Sequence, residues 1–520
     1  MDRRLVMPLV VVASACIMAR KVAVKPVTRP SSTSDSVVVT SPVKAHLLDG
    51  STIVFPRGVR LLRDTVWGEA TRYDVTLRDS SPVQRVALDS VIGLEAYHTE
   101  QNPAKTIIYS TLATVATIGG AVAIICTIDP KCFGSCPTYY RDSAGTPVLE
   151  AEGFSYSIAQ LFEARDVDRL RAAPDADGAL RLEVRNEAFE THFINHLELL
   201  EVGHQPGEMA LPDERNEPLV VAALEPPTRA TDRAGRDARA ELLEADGDVY
   251  RTDADVVANA WVHDLEDWIE LAVPAPAQDS VAVVFRLRNS LLNTILFYDI
   301  MLGDPGARAL DWVGRDLERV GPAVELAQWY QRRMGMRIAV RDGRDWRVSA
   351  RLRDTGPVAW KDVAVVVPVL ERDSVRIRLS FPADNWRMDR VAVATRYRRP
   401  AVTTHPLARV RDADRRDDTT ARAGMREADQ HYLETRPGQW FTAEFQPGAD
   451  PTRAAGTRRT FFLASQGYYT EWVRNGWLRA PRVTRTFTPS DTALAEAIAR
   501  WRITQDTLEA RFMATRVPVR

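Results

Sequence analysis

Cysteine, histidine, lysine and net charge are all scarce in this sequence. Four residues are cysteine and eight are histidine, and the formal net charge is −2. Balanced charge gives no basic field for nucleic acid, and mixed signs between Arg411 and Arg422 are typical of a solvated loop. We therefore expect no nucleic-acid partner. The lysines are Lys21, Lys25, Lys44, Lys105, Lys131 and Lys361.

Motifs of the common enzyme classes are missing as well. The sequence has no Walker loop, no dinucleotide-binding glycine motif, no Gly-x-Ser-x-Gly and no His-Glu-x-x-His. His263-Asp264, beside Glu266 and Asp267, has the residue types to orient a base, but no nucleophile motif accompanies them. The sequence predicts no catalytic residue and no cofactor, and we expect a protein that is not an enzyme.

One group of histidines offers potential metal ligands. It contains His192, His196 and His204, with Glu187 and Glu190 close by in sequence. On a strand, His192 and His196 would be about 13 Å apart, at ~3.3 Å per residue, which is too far for one metal. On a helix the two would chelate. Because the local pattern favours a strand, we predict no metal, and a metal-dependent hydrolase is the weakest functional alternative.

The N-terminus has the pattern of an export signal. Arg3-Arg4 precedes an apolar run over 5–13 and the small residues Ser14-Ala15, which predicts a signal peptide over 1–15. Ala13-Ser14-Ala15-Cys16 resembles the lipobox of bacterial lipoproteins, in which the cysteine becomes the acylated N-terminus. The resemblance implies lipidation of Cys16, and Ile17 in the next position implies sorting to the outer membrane. The alternative is an exported protein without the lipid.

The next segments are predicted to form a tether, a small β module and an apolar segment. Residues 16–43 are polar and proline-containing, as in a linker. Residues 44–104 contain short strand patterns and an Asp49-Gly50 turn, which predict a barrel-like module. Within 105–130, Thr106–Ile128 carries no charge and is long enough to span a membrane. The alternative is a buried hairpin turning at Gly119-Gly120 or a segment packed inside the protein, and we favour a segment that does not span the membrane or is only associated with it.

The remaining cysteines follow the apolar segment closely. Cys126 lies within it and is expected to act as a small hydrophobic residue. Cys132 and Cys136 are four residues apart in a chain that we expect to be exported, which favours a disulfide between them. The alternatives are two free thiols or a metal-binding or redox-active pair. A metal site would need further ligands nearby and a reactive thiol would need a base, and neither follows in the sequence.

From Cys132 onward the chain resembles a family of exported bacterial lipoproteins. The family has a Cys-Pro-x-x-Tyr β module, which is also seen at the C-termini of some tetratricopeptide or ASPIC/UnbV-type repeat proteins. The resemblance implies an exported accessory module over about 132–300 and no known reaction. Arg141–Gly145 departs from the Tyr/Trp-Asp-Gly hairpin of related modules. The similar segments are Ser135–Tyr140, Leu149–Ile158, Asp166–Leu170, Leu182–Glu187, Glu190–His192 and Leu197–Val202.

Alternation of apolar and polar residues predicts a mainly β fold for the rest of the chain. Continuous apolar runs at Val281–Phe285 and Val363–Val367 indicate central strands of β-sandwich-like domains. Asp304-Pro305 predicts a helix start, and Pro322 a break before a second helix. An apolar stripe predicts a C-terminal helix packed on the core. The predicted ranges are a first β domain over 131–300, a helical insert over 301–338, a second β domain over 339–480 and the C-terminal helix over 481–520.

These observations favour a membrane-anchored envelope protein that binds a protein partner or supports an assembly. A surface carbohydrate-binding protein is the alternative, because tryptophans can form a platform for sugars, although they more often pack in cores. The membrane contact is expected through the lipid on Cys16, and through Thr106–Ile128 if that segment inserts. The tryptophans considered are Trp261, Trp268, Trp386, Trp440, Trp472 and Trp477.

Overall fold

The computed structural model divides the chain into two compact units. One consists of Met1–Arg72 and Pro82–Asp129, and the other of Tyr73–Ser81 and Pro130–Arg520. The structure describes residues 20–26, 37–40, 43–47, 51–62, 64–73, 80–101, 137–188, 190–261, 264–274, 277–306, 308–312, 316–317, 319–371, 373–435, 439–448, 456–471, 482–484 and 486–514.

The small unit is a curled eight-stranded sheet. Its order is β1-β8-β3-β4-β6-β5-β2, and β7 pairs with β6. Alternate residues of the strands, such as Val43, Ala45 and Leu47, are buried in one cluster with Ile53 and Phe55, which supports the predicted β module. The strands are β1 (Arg20–Pro26), β2 (Val37–Val39), β3 (Val43–Leu47), β4 (Thr52–Phe55), β5 (Val59–Leu61), β6 (Thr65–Tyr73), β7 (Ser80–Ala87) and β8 (Val91–Gln101).

Two of these strands lie in the range predicted as a tether. β1 pairs with β8 from Arg20 to Pro26, and β2 pairs with β5. The prediction of an unstructured linker is wrong there. Val22–Val24 and Val37–Val39 are short, valine-rich runs of the kind found in strands, but the surrounding prolines and serines dominated the composition.

The large unit contains a nine-stranded antiparallel sheet. Its order is β10-β9-β12-β26-β24-β13-β27-β11, with β25 paired to β13. β13 is the long central strand, and a bulge interrupts its pairing with β27 between Ile194 and His196. The strands are β9 (Thr138–Ser143), β10 (Thr146–Glu152), β11 (Ala164–Arg169), β12 (Leu180–Arg185), β13 (Glu190–His204), β24 (Val402–Arg411), β25 (Leu433–Thr435), β26 (Trp440–Phe445) and β27 (Arg458–Glu471).

Two five-stranded sheets of the same unit pack face to face as a β-sandwich. Their orders are β14-β15-β23-β18-β21 and β16-β17-β22-β19-β20. Inward residues of both sheets, including Val283, Phe285, Leu271 and Ile377, form one buried core. The strands are β14 (Met209–Pro212), β15 (Pro218–Glu225), β16 (Arg229–Asp232), β17 (Glu266–Pro274), β18 (Ser280–Asn289), β19 (Met336–Asp342), β20 (Asp345–Leu352), β21 (Lys361–Pro368), β22 (Ser374–Pro382) and β23 (Trp386–Arg398).

The mainly β fold class predicted from the sequence is confirmed. The predicted domain ranges divide the strands differently from the sheets. The nine-stranded sheet takes strands from 138–204 and 402–471, and the sandwich occupies 209–398 between them. Alternation reveals which face of a strand is buried but not which strand is its partner, so the sequence suggested consecutive domains.

β21 has an unexpected position for a continuous apolar strand. It lies at the end of its sheet order rather than in the centre, where Val363–Val367 was predicted. Both of its faces are nevertheless buried, because Val363 and Val365 face the sandwich core while Ala364 contacts a second apolar cluster. Burial on both faces, rather than a central position, therefore explains the apolar run.

Helices cluster between β18 and β19 and at the C-terminal end of the described chain. Leu292–Gly303 is helical, and its second part is a π-helix. Pro322 does not break α4, because it lies in the first turn, where no N–H partner is needed. The helices are α1 (Ala254–Asn259), α2 (Leu292–Ile295) with the π-helix Leu296–Gly303, α3 (Arg308–Asp311), α4 (Val320–Arg333), α5 (Thr419–Gly424) and α6 (Asp491–Ala514).

The predicted helix start at Asp304-Pro305 is wrong. Asp304 follows the π-helix, and its carboxylate accepts a hydrogen bond from Arg500 of α6 at 2.6 Å. A C-terminal helix is present, and Leu494, Ile498 and Trp501 are buried along one face of it, but it begins at Asp491 rather than at 481. Trp501 Nε1 also donates to Asp384 Oδ2 at 2.6 Å, which fixes α6 on the sandwich.

Candidate functional site

The histidine group lies on one strand, as the sequence favoured. His192, His196 and His204 all belong to β13. His192 is buried, with Nε2 at 2.8 Å from Glu190 Oε1, whereas His204 Nε2 lies 2.9 Å from Thr460 Oγ1. In the described part of the chain, no group of three or more His, Cys, Asp or Glu residues is arranged to hold a metal.

Glu187 forms hydrogen bonds at the start of β9. Its Oε2 accepts from Thr138 at 2.8 Å and from the Tyr140 hydroxyl at 2.7 Å. Both donors belong to the Cys-Pro-x-x-Tyr segment, whose hairpin turns at Ala144 and Gly145 with positive φ. Glu187 therefore stabilises the start of β9, and the structure does not gather the predicted His/Glu group into a single site.

The acids beside His263 form ion pairs or hydrogen bonds with neighbouring side chains. Asp264 pairs with Arg233 and Glu266 with Arg337, while Asp267 accepts the Tyr250 hydroxyl at 2.7 Å. His263 lies outside the described residues. The three acids therefore already have partners within the sandwich.

Several predicted features fall outside the described residues. These are Cys16, Cys126, Cys132, Cys136, Thr106–Ile128, Trp472 and Trp477. Of the helices that are described, none combines the length and the apolar character required to cross a membrane.

The described tryptophans do not form one platform. Trp386 is fully buried in the sandwich core, whereas Trp261 is 66% exposed. Trp268 and Trp346 stack on Arg378, with ring centroids 4.7 and 4.3 Å from its guanidinium carbon. This stacking occupies one face of each ring, which reduces the surface that either offers to a sugar.

One cavity of the described large unit lies beside the helices and has a volume of about 310 Å³. We call it the helix cavity. Its wall combines the loop between β10 and β11, the π-helix, α4, the segment after β20, and Tyr469 of β27. Most of the lining is apolar, including Ile158, Phe297, Met301 and Leu326. Its size and lining are those of a pocket for a small molecule.

Three polar residues of the helix cavity are hydrogen-bonded together. Tyr330 of α4 donates its hydroxyl to Asp354 Oδ2 at 2.6 Å, and Asn293 Nδ2 donates to the same oxygen at 3.3 Å. Burial raises the pKa of Asp354 to about 6, although these hydrogen bonds oppose the rise. Burial and the neighbouring carboxylate raise the pKa of Tyr330 well above its usual value.

Comparison with known proteins identifies no family. No family model matches the sequence, and a search of curated proteins found no significant match. A GH31 α-xylosidase from Xanthomonas citri is 10% identical, with a TM-score of 0.15, over 84% of this chain and 38% of its own. A Paenibacillus xanthan lyase is 9% identical, with a TM-score of 0.16, over 86% and 50%. The mycobacterial arabinofuranosyltransferase AftD is 12% identical, with a TM-score of 0.15, over 87% and 31%.

The chain thus spans half or less of each of these solved proteins. At such TM-scores the similarity carries no argument about fold or function. The site must be interpreted from its own residues.

A smaller polar cavity of about 50 Å³ adjoins the helix cavity and shares Tyr156, Arg353 and Asp354 with it. Lys361 of β21 reaches into this region, with Nζ 2.7 Å from Asp166 Oδ2 and 3.0 Å from Asp168 Oδ1. Burial lowers the pKa of Lys361, but the two carboxylates outweigh burial, so its pKa is raised overall. This buried ion cluster links the sandwich to β11.

Sequence reasoning did not find Asp354, Tyr330 or Asn293. Asp354 lies in the segment Arg353–Gly356, which has the composition of an exposed turn. The helix that carries Asn293 lay in the range 131–300, which was predicted as a β domain. Lys361 did carry a signal, because it is the only lysine after Lys131 in the sequence.

Proposed function

We propose that this protein is a non-catalytic, lipid-anchored protein of the bacterial envelope whose large unit binds a small, mostly apolar molecule. The helix cavity is the observation that supports binding. Burying an apolar ligand against Phe297, Met301 and Leu326 gains about 25 cal/mol per Å² of surface removed from water. This lining suits a glycan poorly, because its hydroxyl groups would lose hydrogen bonds to water.

Filling the helix cavity tests this function. Ala327 of α4 lines the cavity, and Ala327→Trp adds a large ring there. We expect wild-type protein to bind the neutral fluorescent probe N-phenylnaphthylamine, and the variant to bind it about ten-fold more weakly. The readout is a fluorescence titration of the full chain.

The matched control is Ala499→Trp. Ala499 is an exposed alanine of α6 that does not line the cavity. This variant should bind the probe like the wild type. Equal binding by all three proteins would show that the probe does not use the helix cavity, and absence of binding by the wild type would reject the proposed function.

Lipid anchoring through Cys16 is tested separately from ligand binding. If Cys16 is acylated, the wild type incorporates labelled palmitate and sediments with membranes, whereas Cys16→Ala does neither, because it lacks the thiol that carries the lipid. Washing with high salt separates lipid anchoring from charge-based adsorption. A Cys16→Ala protein that still sediments after the wash would contradict anchoring through this residue.

A further inference from the structure

Asp354 differs from most buried carboxylates of the large unit in having no cationic partner. Asp384 pairs with Arg387, Asp389 with Arg286 and Asp213 with Arg399. Among the described residues, no lysine, arginine or histidine forms an ion pair with Asp354, which is only 9% exposed. A buried carboxylate without a countercharge is costly, so a compensating interaction is expected at this position.

Two acceptor atoms beside the cavity lack donors. Asp354 Oδ1 and Asn293 Oδ1 are both buried and have no hydrogen-bond partner of normal distance and angle among the described residues, although the side chains of Asn289 and Asn385 lie close enough to Asp354 to lower its pKa. Asp354 and Asn293 both line the helix cavity. Each unsatisfied buried acceptor costs about 1–3 kcal/mol. Because both oxygens have almost no accessible surface in the helix cavity, a ligand with suitable donors would recover this cost once the carboxylate and the amide rotate toward it.

The other acid of the cavity is already satisfied. Glu163 accepts hydrogen bonds from Asn195 at 2.5 Å, Tyr432 at 2.8 Å and Gln466 at 2.9 Å. Arg353, the basic residue of the lining, interacts with Tyr156. Asp354 is therefore the acid of the lining that is left to bind a charged ligand group.

These observations identify the ligand chemistry. We propose that the helix cavity binds an amphipathic amine, with its ammonium group donating to Asp354 Oδ1 and Asn293 Oδ1 and its apolar body against Phe297, Met301 and Leu326. An ammonium group supplies up to three donors and one positive charge, and it also interacts favourably with aromatic faces such as that of Phe297. This inference rests on the proposed function and specifies its ligand.

Probes of equal chain length test the ligand class. The full-length protein is titrated with n-octylamine, n-octanol and octanoate, each competing with N-phenylnaphthylamine. We expect octylamine to bind about ten-fold more tightly than octanol, and octanoate to bind most weakly, because Asp354 attracts the cation and repels the anion. In Asp354→Asn the preference for octylamine should disappear, so that the ratio of octylamine to octanol affinity falls to about one.

Asn293→Leu provides a second variant that leaves the carboxylate in place. It removes one acceptor, so the ratio of octylamine to octanol affinity should fall several-fold. If octylamine binds no better than octanol in the wild type, or if Asp354→Asn keeps the preference, the amine class is wrong although the cavity still binds apolar molecules. If no probe binds, or if Ala327→Trp leaves every probe unaffected, the proposed function itself fails.

Discussion

Lys361→Met is expected to destabilise the large unit by about 3–5 kcal/mol at neutral pH, because it leaves Asp166 and Asp168 without their cation. Both carboxylates are buried on β11, and Lys361 is the first residue of β21. Methionine keeps much of the side-chain volume but none of the charge. The loss should appear as a lower urea midpoint for the full chain.

The pH dependence of this loss identifies its cause. Burial raises the pKa of Asp168 to about 7 even with Lys361 present, and removing the cation raises it further. The folded variant then binds protons more tightly than the unfolded chain, so its stability falls as the pH rises from about 4. The deficit relative to the wild type should shrink as the pH is lowered toward 5.

The control is an exposed ion pair of the same unit. Arg416 and Asp414 are 3.0 Å apart, with exposed side chains, so Arg416→Met should change the stability by less than about 0.5 kcal/mol. If Lys361→Met is as mild as this control, or if its deficit is the same at pH 5 and pH 7.5, the buried cluster does not stabilise the fold as described.

Asp354→Asn is expected to have the opposite effect and to stabilise the empty protein at about pH 7.5. The pKa of Asp354 is raised from 3.8 to about 6. At ~1.4 kcal/mol per pKa unit, ionising this group costs about 3 kcal/mol more in the folded protein than in the unfolded chain. Asparagine avoids that cost, and its carbonyl can still accept from Tyr330.

The pH dependence of this stability effect follows from proton binding by Asp354. A carboxyl group with a raised folded-state pKa holds its proton more tightly when folded, so its penalty is absent below about pH 4. The penalty grows between about pH 4 and 6 and is complete above that range. Urea denaturation should therefore show a gain of up to about 3 kcal/mol for the variant at pH 7.5 and little difference at pH 4.

Asp384→Asn is the matched control for this prediction. Asp384 is also buried but pairs with Arg387, whose Nη1 lies 2.6 Å away, so the same substitution should destabilise at pH 7.5. If Asp354→Asn also destabilises at pH 7.5, and by the same amount at pH 4, Asp354 has a structural role. Its availability to a ligand would then lose its support.

The sequence predicted local structure more successfully than long-range structure. The Asp342-Gly343 turn does join β19 to β20, and the apolar stripe of α6 does face the core, because each depends on residues close in sequence. The pairing of β12 with β26 joins residues more than 250 positions apart, and no local pattern specifies it.

The helix cavity could not be predicted from the sequence either, because it forms from residues that are far apart along the chain. Asn293, Tyr330 and Asp354 lie on three separate segments, and each has an ordinary local context. Their importance arises only when the fold removes water from Asp354 without supplying a cation. The helical segment that carries Asn293 is rich in apolar residues, so its composition alone did not distinguish a buried helix from a strand.

A crystal structure of the full chain with n-octylamine would show directly where the amine binds. We expect density for the ligand in the helix cavity, with the nitrogen about 3 Å from Asp354 Oδ1 and the alkyl chain against Phe297 and Met301. Density for the amine elsewhere on the protein, or a cavity that stays empty at saturating octylamine, would contradict the proposed amine site.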